Sequence, residues 1–137
     1  MSTDFTATFT VDQTPEEVFA AVNNASMMAL APFPVTPAYA ISKAAEFNFT
    51  QSLRAIVKAR GISVHAVLTG PTDTEMTRGY EIPKATPESV AQAIFDGLER
   101  GDEEIFPDPM SAALAESWSS GAAKAFERQF EAALQAA

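Results

Sequence analysis

The sequence predicts an α/β fold in which a small parallel sheet is flanked by helices. Residues 62–68 form a largely apolar run of the length of a strand, and residues 103–106 predict a second, short strand that ends at Pro107. Each follows a helical segment that ends at a glycine, Gly61 for the first and Gly101 for the second. Because strands that alternate with helices usually pair in parallel, these two segments are expected to lie in one sheet.

The N-terminal segment predicts one further strand followed by a helix. Residues 5–11 alternate apolar and hydroxyl-bearing side chains, and this period of two indicates a half-buried strand. A helix start follows, with Thr14 as N-cap, Pro15 at the first helical position and Glu17 completing a capping box. These signals favour a helix that continues to the Asn-Asn pair at residue 23.

The remaining helices are predicted from their caps and their apolar spacing. A Thr-Pro pair begins a helix over residues 37–60, and a second Thr-Pro pair begins another over residues 87–100. In the tail, large apolar side chains recur every four residues, which predicts a helical segment over residues 111–135 with a bend at Gly121.

Composition narrows the classes of function. The 137 residues suffice for one domain. A net charge of −9 makes nucleic acid or an anionic membrane an unfavourable partner. The chain has no cysteine and a single histidine, so we expect no disulfide and no metal site built on thiolates or several histidines. With no long apolar run and no signal-peptide pattern, the expected location is the cytoplasm.

Tyr39 and Lys43 are the residues whose spacing most directly suggests chemistry. They stand four residues apart on the predicted helix 37–60 and therefore share one helical face. A neighbouring ammonium favours the ionised form of a tyrosine, which can then exchange a proton with an alcohol or carbonyl oxygen. Ser26, thirteen residues before Tyr39, could hold the same oxygen with its hydroxyl.

Tyr39-Ala-Ile-Ser-Lys43, with Ser26 upstream, resembles the signature of the short-chain dehydrogenase/reductase family. Small residues after the lysine and the Thr-Gly-Pro-Thr-Asp-Thr sequence ending at Thr74 extend the resemblance over about residues 25–137. It implies a partial Rossmann-like fold and an NAD(P)-dependent oxidoreductase acting on a small-molecule alcohol or carbonyl compound.

The resemblance also implies roles for individual residues. Ser26 would orient the substrate oxygen, Tyr39 would be the acid–base group, and Lys43 would assist Tyr39 and bind the nicotinamide ribose. Gly70 would form a tight turn in the cofactor loop, and Thr74 would contact the nicotinamide carboxamide. The chain departs from the family pattern at position 69, where threonine replaces proline.

The glycine-rich turn that holds the cofactor pyrophosphate in this family has no counterpart in the sequence. The six glycines do not cluster after a strand. We therefore interpret the chain as the C-terminal catalytic half of the family fold, truncated or chimeric. We expect it to be inactive alone and to bind NAD or NADP only weakly.

Residues 1–24 resemble the opening strand and helix of START-like domains, the group that includes Hsp90-activator-like proteins. This resemblance divides the chain into an N-terminal segment, 1–24, and a dehydrogenase-like part, 25–137. In dehydrogenases the residues before the serine form a buried strand, so helix capping and family context conflict there. Two alternative functions stay open, a START-like binding protein for an apolar ligand and an idle remnant that only assembles. A homodimer is expected through helix 37–60 or strand 5–11.

Overall fold

The computed structural model describes residues 20–136. Three strands and four α-helices occur within this range, besides short 3-10 turns. In chain order they are β1 (Ala20–Asn24), α1 (Pro37–Val57), β2 (Ser63–Val67), α2 (Pro87–Arg100), β3 (Glu104–Ile105), α3 (Pro109–Ser119) and α4 (Ala122–Gln135). The strand predicted over residues 5–11 and the helix start at Thr14 lie outside the described residues.

The three strands form one parallel sheet in the order β1-β2-β3. Ala20 pairs with Ser63 at one end of the β1–β2 ladder, and Asn24 pairs with Val67 at the other. Helices connect consecutive strands, as parallel pairing requires. The predicted α/β class with a small parallel sheet flanked by helices is confirmed.

The helix predicted to continue to residue 23 is wrong for its last part, because residues 20–24 form β1. Capping signals act within a few residues of chain, whereas a strand is fixed by its neighbour in the sheet. Here every residue of β1 has a partner in β2. The pairing in space therefore determines the conformation of residues 20–24.

α1 begins at Pro37 after the N-cap Thr36, as predicted, and its last turn continues as a short 3-10 helix to Arg60. Gly61 then ends the helix with a positive φ of 71°, which favours glycine. The buried residues of α1 recur at intervals of three, four and seven and pack toward the sheet; they are Ala40, Phe47, Thr50, Arg54 and Val57.

The apolar core lies between α1, β2 and α3. It is centred on Ala25, Phe47, Ala66 and Leu68. The ring of Trp118 on α3 meets the ring of Phe47 edge to face, with centroids 5.1 Å apart. α3 thus covers the end of the sheet at which β1 and β2 finish.

The tail forms two helices instead of one, with the break at the predicted Gly121. A Cβ atom at this position would lie 2.7 Å from the carbonyl oxygen of Ser117, so only glycine allows the close approach. The break turns α4 back against α1, where Glu127 accepts a hydrogen bond from Gln51.

A buried ionic network joins α1 and α4 to the start of β3. Arg54 and Lys124 are 4% and 2% exposed. The ammonium of Lys124 lies 2.7 Å from Glu103, and 2.9 Å and 3.0 Å from the carboxylates of Glu104 and Glu127. The guanidinium of Arg54 pairs with Glu104 and Glu127 and also donates to the Val64 and Glu103 carbonyl oxygens. These cations satisfy the carboxylates that surround them.

The network shifts the pKa of its members in opposite directions. Burial alone would lower the pKa of Lys124, but hydrogen bonds to Glu103 and Glu104 outweigh this and hold it above its ordinary value. Burial alone would raise the pKa of Glu103, but the hydrogen bond and charge of Lys124 hold it below its ordinary value. Both groups are therefore stabilised in their charged forms.

Among residues 20–136, no helix combines the length and the apolar character needed to cross a membrane.

Candidate functional site

The candidate site lies where β1 and β2 end. Pairing continues beyond both strands, since the amide of Ala25 donates to the Val67 carbonyl and the amide of Met27 to the Thr69 carbonyl. Asn24 and Ser26 therefore come beside the first residues of the loop that follows β2. In parallel sheets this carboxyl edge is where ligands usually bind.

Tyr39 and Lys43 lie one turn apart at the start of α1, as the spacing predicts. The Lys43 ammonium is 5.9 Å from the centroid of the Tyr39 ring, and the tyrosine is 38% exposed. The ammonium donates to the Asn24 carbonyl oxygen at 3.1 Å and to the Glu46 carboxylate at 2.6 Å. A lysine has three N–H donors, so one remains for a ligand.

Ser26 is held at the end of β1 in an unusual backbone conformation. Its φ of 101° is the only positive value at a non-glycine residue within the described range. Its hydroxyl accepts from the Met28 amide at 3.3 Å and donates to the Thr69 carbonyl at 3.4 Å. Both contacts are long, so exchanging one of them for a ligand oxygen costs little.

Contacts join most of the predicted site residues into one cluster. Lys43 reaches Asn24, whose side-chain oxygen accepts from the Thr69 hydroxyl at 3.3 Å. Ser26 also bonds to Thr69, and Gly70 follows directly. Tyr39 joins the cluster through its neighbour Lys43. The threonine at position 69, which departs from the family pattern, thus gains a hydroxyl contact with β1.

Thr74 lies further along the same loop and is exposed. It begins a short 3-10 helix, and its amide donates to the Thr77 hydroxyl at 3.1 Å. Its own hydroxyl donates to the Thr72 carbonyl at 3.4 Å. Within the described residues, its hydrogen bonds therefore stay inside the loop, and no contact connects it to Ser26 or Lys43.

Sequence reasoning missed Asp108, which contacts the predicted site. This buried side chain is the N-cap of α3 and also accepts a 2.6 Å hydrogen bond from the Gly70 amide. The Asp-Pro pair at positions 108 and 109 is a typical helix start and could have indicated the capping role. Its contact with Gly70 has no local signal, because the two residues are far apart in the chain.

The residues present fit the nicotinamide end of a dinucleotide better than its pyrophosphate end. Lys43 keeps a free donor beside an exposed tyrosine, whereas the amide of Gly70 is already bonded to Asp108. Among residues 20–136, the three carboxylates that lie close enough to hold a metal ion belong to the ionic network, where Lys124 and Arg54 already bind them; they are Glu103, Glu104 and Glu127.

The chain is similar in sequence to known dehydrogenases and oxidoreductases. A family model for short chain dehydrogenases matches residues 6–84, more than half of the chain. A probable oxidoreductase, EphD, from Mycobacterium bovis and from Mycobacterium tuberculosis is 37% identical over 71 residues, which cover 50% of this chain and 12% of that protein. The START-like resemblance of residues 1–24 stays a prediction.

Solved structures share the fold. A short chain dehydrogenase from Burkholderia cenocepacia, solved with NADP, is 29% identical with a TM-score of 0.68, over 80% of this chain and 46% of that one. A short-chain dehydrogenase from Sphingobium yanoikuyae, solved with NADPH, shares the fold at 24% identity and a TM-score of 0.66, over 78% of this chain and 44% of that one.

The chain thus spans less than half the length of these relatives. The match of the family model over residues 6–84, the parallel sheet and the neighbouring structures lead to one conclusion: this chain belongs to the short-chain dehydrogenase family.

Proposed function

We propose that this chain carries the proton-transfer half of an NAD(P)-dependent oxidoreductase that interconverts an alcohol and a carbonyl compound. The observation that supports this most directly is the position of the Lys43 ammonium. It lies 5.9 Å from the Tyr39 ring centroid and hydrogen-bonds to the end of β1, two residues before Ser26. The Burkholderia relative solved with NADP supports the choice of cofactor.

In the proposed mechanism, Tyr39 donates a proton to the carbonyl oxygen during reduction and accepts it during oxidation. The ammonium of Lys43 lies beside the Tyr39 ring, and its free N–H is available for the ribose. Ser26 exchanges its long hydrogen bond to the Thr69 carbonyl for one to the substrate oxygen. A bound nicotinamide would supply or accept the hydride.

We expect this chain alone to bind the cofactor weakly. Lys43 and Thr74 offer two or three hydrogen bonds, each contributing about 0.5–1.5 kcal/mol. A dissociation constant of 1 μM requires about 8 kcal/mol, whereas 1 mM requires about 4 kcal/mol. Binding is therefore expected in the millimolar range or weaker, with no reductase turnover by the chain in isolation.

Saturation-transfer NMR with millimolar NADPH tests the proposal at the affinity expected. Transfer should reach the nicotinamide protons, should be lost in Lys43→Ala and should persist in Tyr39→Phe. Tyr80→Phe is the matched control, because Tyr80 is the chain's other tyrosine and is also exposed. Transfer that reaches only the adenine, or that survives Lys43→Ala, would contradict the assigned site.

Fluorescence titration with NADPH and NADH tests the expected weakness. Saturable micromolar binding would show that a second subunit or the N-terminal segment completes the cofactor site. Tyr39→Phe should then remove turnover and leave binding intact. Turnover that survives this substitution would refute the role of Tyr39.

A further inference from the structure

The strongest unassigned feature beside the site is the carboxylate of Asp108. The residue is 5% exposed and accepts four hydrogen bonds. One oxygen accepts from the amides of Met110 and Ser111, both at 3.0 Å, which caps α3. The other accepts from the Ser111 hydroxyl at 2.7 Å and from the Gly70 amide at 2.6 Å. A single buried anion therefore connects the start of α3 to the loop after β2.

The loop approaches this carboxylate more closely than a residue with a side chain would allow. A Cβ atom built on Gly70 would lie 2.4 Å from one Asp108 oxygen. Real Cβ atoms do not approach an oxygen so closely, and the carboxylate is fixed by its other three donors. The hydrogen bond between the loop and Asp108 therefore requires glycine at position 70.

The residue before Gly70 is fixed from the opposite side. The Thr69 carbonyl accepts from the Met27 amide at 2.9 Å and from the Ser26 hydroxyl, while the Thr69 hydroxyl donates to Asn24. The loop is thus held between β1 on one side and Asp108 on the other. A change at Asp108 would move the residue that holds the hydroxyl of Ser26.

We infer that Asp108 is a positioning residue of the candidate site. It holds Thr69 and Gly70, the first residues of the loop, beside the start of α3 and thereby sets where the Ser26 hydroxyl stands relative to Lys43. The catalytic meaning of this inference rests on the proposed function, whereas the anchoring of the loop does not. A carboxylate suits the task because both of its oxygens accept, and hydrogen bonds to a charged group are stronger than neutral ones.

The variant Asp108→Asn separates anchoring from capping. Asparagine is as good an N-cap as aspartate, so its oxygen can still accept from Met110 and Ser111. Its amide group would then face the Gly70 amide, two donors without an acceptor. The bond to Gly70 should be lost while α3 keeps its cap.

Amide hydrogen exchange followed by NMR, on the 137-residue chain without cofactor, measures the anchor. The exchange rate of the Gly70 amide, taken relative to that of Ala112 in α3, should rise at least about tenfold in Asp108→Asn, since a hydrogen bond to a charged group contributes about 1.5–3 kcal/mol. Gln92→Ala removes an exposed side-chain hydrogen bond to Asp96 within α2 and should leave this ratio unchanged. An unchanged ratio in Asp108→Asn would overturn the inference.

A second measurement connects the anchor to the site. Saturation transfer from the protein to the nicotinamide protons of NADPH should fall in Asp108→Asn and stay unchanged in Gln92→Ala. If the Gly70 amide exchanges faster in Asp108→Asn but the wild type shows no transfer to NADPH, the anchor is correct and the proposed function is refuted. Transfer that is unaffected by Asp108→Asn would refute the positioning role. If the asparagine variant does not fold, Asp108→Ser keeps a helix cap with too short a side chain to reach Gly70, and the same outcomes apply.

Discussion

Ser26 combines a hydroxyl in the candidate site with a backbone conformation that a side chain disfavours. With φ at 101° and ψ at 142°, its backbone lies in a region that glycine enters freely and other residues rarely do. Such strain costs about 1–3 kcal/mol per residue and persists where surrounding contacts impose it. The Ala25 and Met27 amides impose it here, because they are bonded to the carbonyl oxygens of Val67 in β2 and of Thr69 just after it.

Comparing Ser26→Gly with Ser26→Ala measures this strain. Both variants lose the hydroxyl and its two long hydrogen bonds, but only glycine relieves the Cβ clash. We expect the glycine variant to be more stable than the alanine variant by about 1 kcal/mol, the reverse of the usual order. Urea unfolding of the two proteins measures the difference, and an alanine variant of equal or greater stability would show that Ser26 is not strained.

At the residue scale, the sequence predicted the groups with a local signature and missed those whose role comes from distant contacts. The proximity of Tyr39 and Lys43 follows from helix periodicity alone. The burial of Arg54 and Lys124 could not be predicted, because charged side chains at such positions usually face water. Their burial depends on the carboxylates of Glu103, Glu104 and Glu127, and the first two come from a part of the chain distant from both cations.

At the scale of elements, the ionic network between α1, β3 and α4 gives the clearest stability prediction. Lys124→Met should reduce the free energy of unfolding by about 3–5 kcal/mol, because it leaves buried carboxylates short of a cation. Lys58→Met is the matched control on the same pair of helices. Its partner is Glu131, and because Lys58 is exposed, the loss should be below about 1 kcal/mol. Urea unfolding separates the two outcomes, and equal losses would contradict a buried network.

The same network predicts how stability depends on pH. The pKa of Glu103 is lowered in the folded chain, so its contribution is complete above the ordinary value of 4.5 and is lost as the pH falls below it. The pKa of Lys124 is raised, so its contribution is complete below 10.5 and is lost as the pH rises above it. The free energy of unfolding of the wild type should therefore fall at acid and at alkaline pH. In Lys124→Met the fall at alkaline pH should be smaller.

Elements bounded by their own caps were predicted well, and the element defined by pairing was not. Pro37, Pro87 and Gly101 mark the ends of helices in the sequence and in the structure alike. No proline or glycine marks the ends of β1, and the capping box before it suggested a helix. Its extended form depends on pairing with β2, in which each partner residue lies 43 positions further along the chain. No local window of sequence contains that information.

At the scale of the whole molecule, two helices expose apolar side chains that a monomer would leave in water. On α1 they lie opposite the buried face, and on α4 they form one stripe with the rings of Phe126 and Phe130 stacked. They are Ile41, Phe49 and Ile56 on α1, and Phe126, Phe130 and Leu134 on α4. Exposed patches of this kind usually mark interfaces.

We therefore expect the chain to associate as a symmetric dimer through α1. Phe49→Glu should shift the population toward monomer in sedimentation velocity at micromolar concentration, because it places a charge in the apolar patch that the dimer would cover. Gln92→Glu, an exposed change of the same charge on α2, should leave the dimer intact. A wild type that sediments as a clean monomer would contradict the prediction.

The contact between Trp118 and Phe47 also gives this protein a built-in optical reporter. Trp118 is the only tryptophan in the chain, and its indole nitrogen is buried with no hydrogen-bond partner within the described residues. Tryptophan emission therefore arises from one place, the surface where α3 rests on α1. A shift of that emission toward longer wavelength therefore reports, without any label, that α3 has left this surface.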